Sequence, residues 1–294
     1  MGASMQFDFF NDNQNVSLRN DVILALEQGD TATAQQAWQV LKQHFPQDDC
    51  LDSLQVLIHA LAQRSPEPFA DHTALHQARQ HLQDQIEPAA RRNFGTSAAA
   101  TWLQARWQEL AERATALAYH PDHKDDHAAP LRLHAGQWQA AADAVARIES
   151  WRRIPAPLAW MLQARLALQG LQPNWGLLAE LAWLSPSRLE LVLSHRSDPL
   201  LTPLLARFGQ TFEGAGDATD LAWFPAWVLT ERPSLASHLA QAQAGLHRAP
   251  EQAMRLMLEL LGLERQGRHH DLIERRKTLR GLHASLYAAY MASR

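Results

Sequence analysis

Sulfur bridges are the first thing this chain cannot make. Cys50 is its only cysteine, so an intrachain disulfide framework and a cysteine-built zinc site are both excluded. A reducing compartment suits such a chain. Long apolar runs are also missing. Every hydrophobic segment is cut by Glu, Arg, Gln or Pro before the roughly 18–20 residues a membrane helix needs. No basic stretch followed by an apolar core opens the chain, so no secretory signal is read and a cytoplasmic, bacterial-type soluble protein is expected. Positive charge is in deficit: 27 Lys and Arg stand against 31 Asp and Glu, a formal net charge of -4. That balance argues against the broad positive field of a nucleic-acid binder.

Catalytic signatures are lacking as well. The chain has no Gly-x-Ser-x-Gly elbow, no phosphate loop ending Gly-Lys-Ser/Thr, and no His-Glu-x-x-His or Glu-x-x-His pair. The glycines between Gly209 and Gly216 have neither a preceding strand nor a following lysine. No catalytic residue and no cofactor are expected. Alternating apolar and polar residues of strand length are absent too, which leaves an all-α chain.

What is present suits helices packed on helices. Hydrophobic residues make up 46% of the 294 and charged residues 20%, ample for a core and without long polar tracts. Tryptophan (10) far exceeds tyrosine (3), and histidine is frequent at 15. The stretch Val22–Pro46 reads as a helix, a Gly29-Asp30 turn, a second helix and a proline stop. Leu18, Val22, Ala25 and Leu26 fall on one side of the first helix. Ala34, Trp38, Leu41 and Phe45 fall on one side of the second. Gly29 permits the turn, Ala34 permits close helix approach, and Trp38 fills the gap to the next element. Gly136, Trp138 and Ala141 repeat a similar turn.

These residues resemble the second half of a tetratricopeptide repeat: a turn glycine, a small residue, a bulky aromatic and a closing proline. The resemblance implies antiparallel hairpins stacked as an alpha-alpha superhelix. It also implies a protein-interaction scaffold or adaptor that binds a peptide or helix of a partner in a groove. Two other readings stand beside it: a dedicated chaperone or immunity-type partner of one protein, and a metal-dependent enzyme.

In chain order, Met1–Ser4 ahead of Met5 reads as a cloning scar, and 5–208 as the helical array. Helices are expected over Asp52–Arg64, Asp71–Glu87, Ser97–Tyr119, Ala135–Ser150, Pro157–Leu168 and Trp175–Leu184, with Ser17 or Asn20 capping the first helix of the chain. Residues 209–220 read as a loop. A C-terminal helical subdomain over 221–294 follows, ending in one helix, His269–Met291.

Four constellations offer chemistry. His120, His123 and His127, with Asp122, Asp125 and Asp126, have the donor types of a zinc-like site, and the other reading is a solvated loop. His72 and His76 form an i, i+4 pair. The basic run Arg268, Arg275, Arg276 and Arg280 suits an acidic peptide or phosphate groups, but interleaved Glu and Asp suggest surface pairing. Trp223 and Trp227 suit either a binding hot spot or core packing.

Overall fold

The computed structural model describes residues 2–194, 197–243, 245 and 247–294, with side chains from residue 13 onward. The regular structure among these residues is entirely helical. Contacts divide the chain into two compact units, 1–137 and 138–294. The expected loop at 209–220 lies inside the second unit, and its first residues still belong to a helix that ends at Thr211.

The first unit begins with the expected hairpin. Helix α1 (Gly2–Glu27) and α2 (Thr31–His44) pack together, and α3 (Leu51–Ala62) packs on both. Gly29 takes a positive φ of 74°, and the Asp30 carboxylate accepts from the Thr33 amide to cap α2. Val22, Leu26, Ala34 and Leu41 have no exposed surface. Trp38 closes the hairpin and donates its indole N–H to the Leu51 carbonyl at 3.0 Å. No cap forms at Ser17 or Asn20, because α1 runs through both positions.

Helix α4 (His72–His81) does not stop at Pro88. It passes through a π-turn, Leu82–Ile86, into α5 (Glu87–Asn93). Proline lacks an N–H and clashes with the carbonyl four residues back in a regular helix. The wider turn just before Pro88, closed by the Glu87 amide on the Leu82 carbonyl, lets the chain stay helical. Helix α6 (Thr96–Arg113) is shorter than expected, and its seam is carried by Ala99, Leu103, Trp107 and Ala111. A 3-10 turn at Pro121–His123 leads to α7 (Ala128–His134), which packs on α6.

The second unit comprises α8 (Trp138–Ala146), α9 (Pro155–Gln169), α10 (Trp175–Leu184), α11 (Pro186–Ser194), α12 (Leu201–Thr211), α13 (Phe224–Glu231), α14 (Ala236–Leu239), α15 (Ala249–Arg265), α16 (His269–Leu282) and α17 (Ala284–Ala292). Its centre is α10, WGLLAELAWL, with every residue from Trp175 to Trp183 buried. A helix that is apolar all round is an interior helix, and α13 is another. Gly176 makes the packing of α10 possible. A Cβ there would come within 3.0 Å of the Ala242 backbone nitrogen.

The expected final helix is two. His283 breaks it with extended backbone and caps α17 by accepting from the Leu286 amide. Its ring lies against Phe212 at 4.9 Å and Trp223 at 4.6 Å. Among the described residues, no helix is long and apolar enough to cross a membrane.

Candidate functional site

Of the histidines and aspartates singled out in the sequence, His72, His76, His120, His123 and Asp126 come together in the first unit, on α4 and the segment after α6, whereas His127 lies against Tyr119. Asp126 is the hub, a buried carboxylate. Arg79 Nε donates to its Oδ1 at 2.8 Å, and His76 Nδ1 lies 3.0 Å from its Oδ2. His123 Nδ1 is 3.6 Å from the same oxygen. The rings of His72, His120 and His123 form a triangle with centroids 5.2 to 6.0 Å apart.

These nitrogens already have work. His72 Nε2 sits 2.8 Å from the Ala118 carbonyl. The Asp122 amide donates to His120 Nδ1, and the Ala129 amide to His127 Nδ1, which caps α7. A guanidinium on Asp126 also opposes a cation there. Among the described residues, the only three metal-type donors that converge are Asp48, Asp49 and Cys50. Arg19 and Arg92 already neutralise those two carboxylates.

The C-terminal arginines are paired, not gathered. Arg268 meets Asp271 at 2.6 Å, Arg275 meets Glu259 at 2.9 Å, and Arg276 meets Glu264 at 3.4 Å. Tyr290 also donates to Glu264. Arg280 is exposed. Trp227 is 2% exposed and packs edge-on against Phe208. Trp223 is half-buried against His283.

A different site, which the sequence reading passed over, lies in the second unit. A cavity of about 670 Å³ opens between the 3-10 turn Trp151–Arg153, the end of α10, Gln243 and Gly245. Pockets of this size hold small ligands or a few residues of a peptide. Glu180, one turn beyond Gly176 on α10, lines it while only 8% exposed. Burial raises its carboxyl pKa above the ordinary value. A hydrogen bond from the Gln243 amide, then the Arg152 and Arg255 charges, oppose the rise. The Gln243 bond is 2.8 Å and Arg152 stands 3.7 Å away.

Gly245 at the rim, and His247 after it, are tied down by a second buried carboxylate. Glu251 accepts from the Gly245 amide at 2.9 Å and the His247 amide at 2.8 Å. A Cβ at Gly245 would approach the Glu251 Oε2 atom tightly, at 3.3 Å. Ser150 and His247 hold positive φ angles of 54° and 52°. Non-glycine residues so placed cost about 1–3 kcal/mol each and gather at binding sites.

The wall itself has an unmatched group. Trp38 and Trp102 donate their indole N–H groups to carbonyls. Trp183 lines the cavity, yet its buried Nε1 has no acceptor among the described residues. Trp151 and Arg153 complete the mouth. One signal for this site was legible: a single Glu inside an otherwise apolar ten-residue helix has to be held by something.

The fold and this pocket define an all-helical protein with a preformed concave site in its second unit. No protein-family model, no curated protein and no solved structure matches the chain.

Proposed function

We propose that the protein is a non-catalytic interaction scaffold, and that its second unit receives an extended peptide segment of a protein partner in the pocket around Glu180. The observation that carries this reading is a buried carboxylate on the wall of a preformed cavity: Glu180 lines it while desolvated, with the Gln243 amide and Arg152 as partners. A peptide N–H is a donor such a carboxylate can take. Trp151 supplies an aromatic surface beside it, of the kind enriched in binding hot spots.

The hairpin α1–α2 supports the scaffold class. Its turn glycine, small residue and tryptophan take the roles that the tetratricopeptide resemblance assigns them, and α3 packs on the hairpin in sequence. Stacking of such hairpins as a superhelix is part of this proposal. A chaperone or immunity-type role for one partner needs the same pocket and differs only in how many partners it accepts.

The test is affinity capture from native lysate with the wild-type protein and with Trp151→Ala and Glu180→Gln. One stoichiometric partner retained by the wild type and lost by both variants is expected. A partner retained equally by all three overturns the placement.

A further inference from the structure

A second cavity, in the first unit, carries a different chemistry. It lies between the end of α3, the π-turn and α6, and encloses about 140 Å³. That is well below the size of a small-molecule site and suits a single functional group. Arg106 lines it and is only 6% exposed. Its Nη2 donates to Glu109 at 2.7 Å. Its Nε and Nη1 are closed to solvent and donate to nothing among the described residues. A guanidinium with two unsatisfied nitrogens is an unusual thing to bury, because desolvated donors are costly to leave unpaired. Its face to the Trp102 ring, 4.9 Å from the centroid, offsets part of that cost.

The lining adds more positive charge than it cancels. Arg64 and Arg113 join Arg106, and Glu109 is the one carboxylate among the lining residues. Arg64 donates to the same Glu109 oxygen, from Nε at 2.6 Å and from Nη2. Three guanidiniums less one carboxylate leave a charge of about +2. A ligand carboxylate would cancel half of that. A phosphate monoester, carrying roughly -1.5 to -2 near neutral pH, would cancel nearly all of it. Leu82 and Ile86 of the π-turn form the apolar side, and π-turns of this kind recur at functional sites.

We infer that this cavity is a phosphate-binding site, in which Arg64 and Arg113 contact a phosphate group and the buried Arg106 guanidinium adds its charge from behind them. The inference does not depend on the peptide pocket of the second unit. The phosphate comes either as free inorganic phosphate or as the head of a phosphorylated small molecule, and both present the same dianion.

The experiment is calorimetric titration and thermal melting of the full-length protein with sodium phosphate and with phosphoserine. Sodium chloride at matched ionic strength is the control, since surface charge effects follow salt alone. Saturable binding that raises the melting temperature beyond the chloride control is expected. Arg106→Gln should abolish it, and Arg64→Gln, at a half-exposed position that can be changed without touching the core, should weaken it by about tenfold or more. Tighter binding of phosphoserine than of phosphate assigns the site to an esterified ligand, and the reverse assigns it to the free ion. Absence of binding by both, or equal binding in wild type and Arg64→Gln, overturns the inference even if Arg106→Gln fails to fold.

Discussion

At the residue scale, this protein is governed by a few charges held out of water. Asp126 is the clearest. It satisfies Arg79, which is itself mostly buried, and fixes the 120–127 segment against α4. Removing one member of a buried pair leaves the other uncompensated. Asp126→Ala is therefore expected to destabilise the first unit by about 2–4 kcal/mol, read as a lower midpoint in urea. An unchanged midpoint would show that the histidine cluster, and not this pair, holds the segment. Glu180 behaves in the opposite sense. Burial lifts its folded pKa above the unfolded value, so its ionised form opposes folding at neutral pH, and the cost is relieved as pH falls. Glu180→Gln keeps an acceptor for the Gln243 amide and removes the buried charge. At pH 7 the variant should melt at the same or a higher temperature while losing the partner.

His134 adds a pH dependence of known sign. Burial, the largest effect, holds its pKa below the ordinary imidazole value, and its ring stacks on Trp107 at 4.5 Å. The unfolded chain takes up the proton near pH 6.5 and the folded chain only below that. Its contribution to stability is complete above about pH 6.5 and is lost as pH falls toward the folded value. His283, lowered mainly by burial, adds a second contribution of the same sign. Melting temperatures from pH 7.5 to 5 should fall, and His134→Phe should make the fall shallower. An identical slope in that variant would remove His134 from the account.

At the element scale, most helices were legible because apolar residues recur at helical spacing. The hairpin over Val22–Pro46 followed directly from Gly29, Ala34 and Trp38. The misreadings have local causes. The helix expected over Asp71–Glu87 runs on past Glu87 because a π-turn absorbs Pro88, and π-turns leave no periodic trace. His283 divided the last helix because an imidazole can cap, and histidine is a weak stop signal in sequence. The metal-type histidines were legible as a group, whereas Asp126, which meets His76 and His123, and the Arg79 that neutralises it lie 47 residues apart. Glu180 stands alone in an apolar helix, and Arg106 reads as one half of an ordinary i, i+3 surface pair with Glu109. Neither shows its burial until the fold supplies its surroundings. Gly176 is the element-scale test. Its Cβ position touches the Ala242 backbone, which has little room to give. Gly176→Ala should destabilise the second unit by about 1–3 kcal/mol, despite alanine's better helix propensity. A stabilised variant would mean that the contact relaxes freely.

At the scale of the whole molecule, each unit encloses a core of its own. The first buries Leu26, Leu41, Leu54, Leu75, Leu82 and Leu131, and the second buries Trp175, Phe224, Trp227 and Tyr290. Fragments 1–137 and 138–294, expressed separately, should each be helical by circular dichroism and melt cooperatively. A fragment that melts without a transition would show that its core is incomplete alone.

Selection of random peptides on the immobilised protein probes the Glu180 pocket without any lysate. A related set of sequences should be enriched, with binding lost in Trp151→Ala and Glu180→Gln and kept in Arg64→Gln, a change in the other unit. Failure to enrich any set, or binders indifferent to the two pocket variants, would contradict peptide binding there.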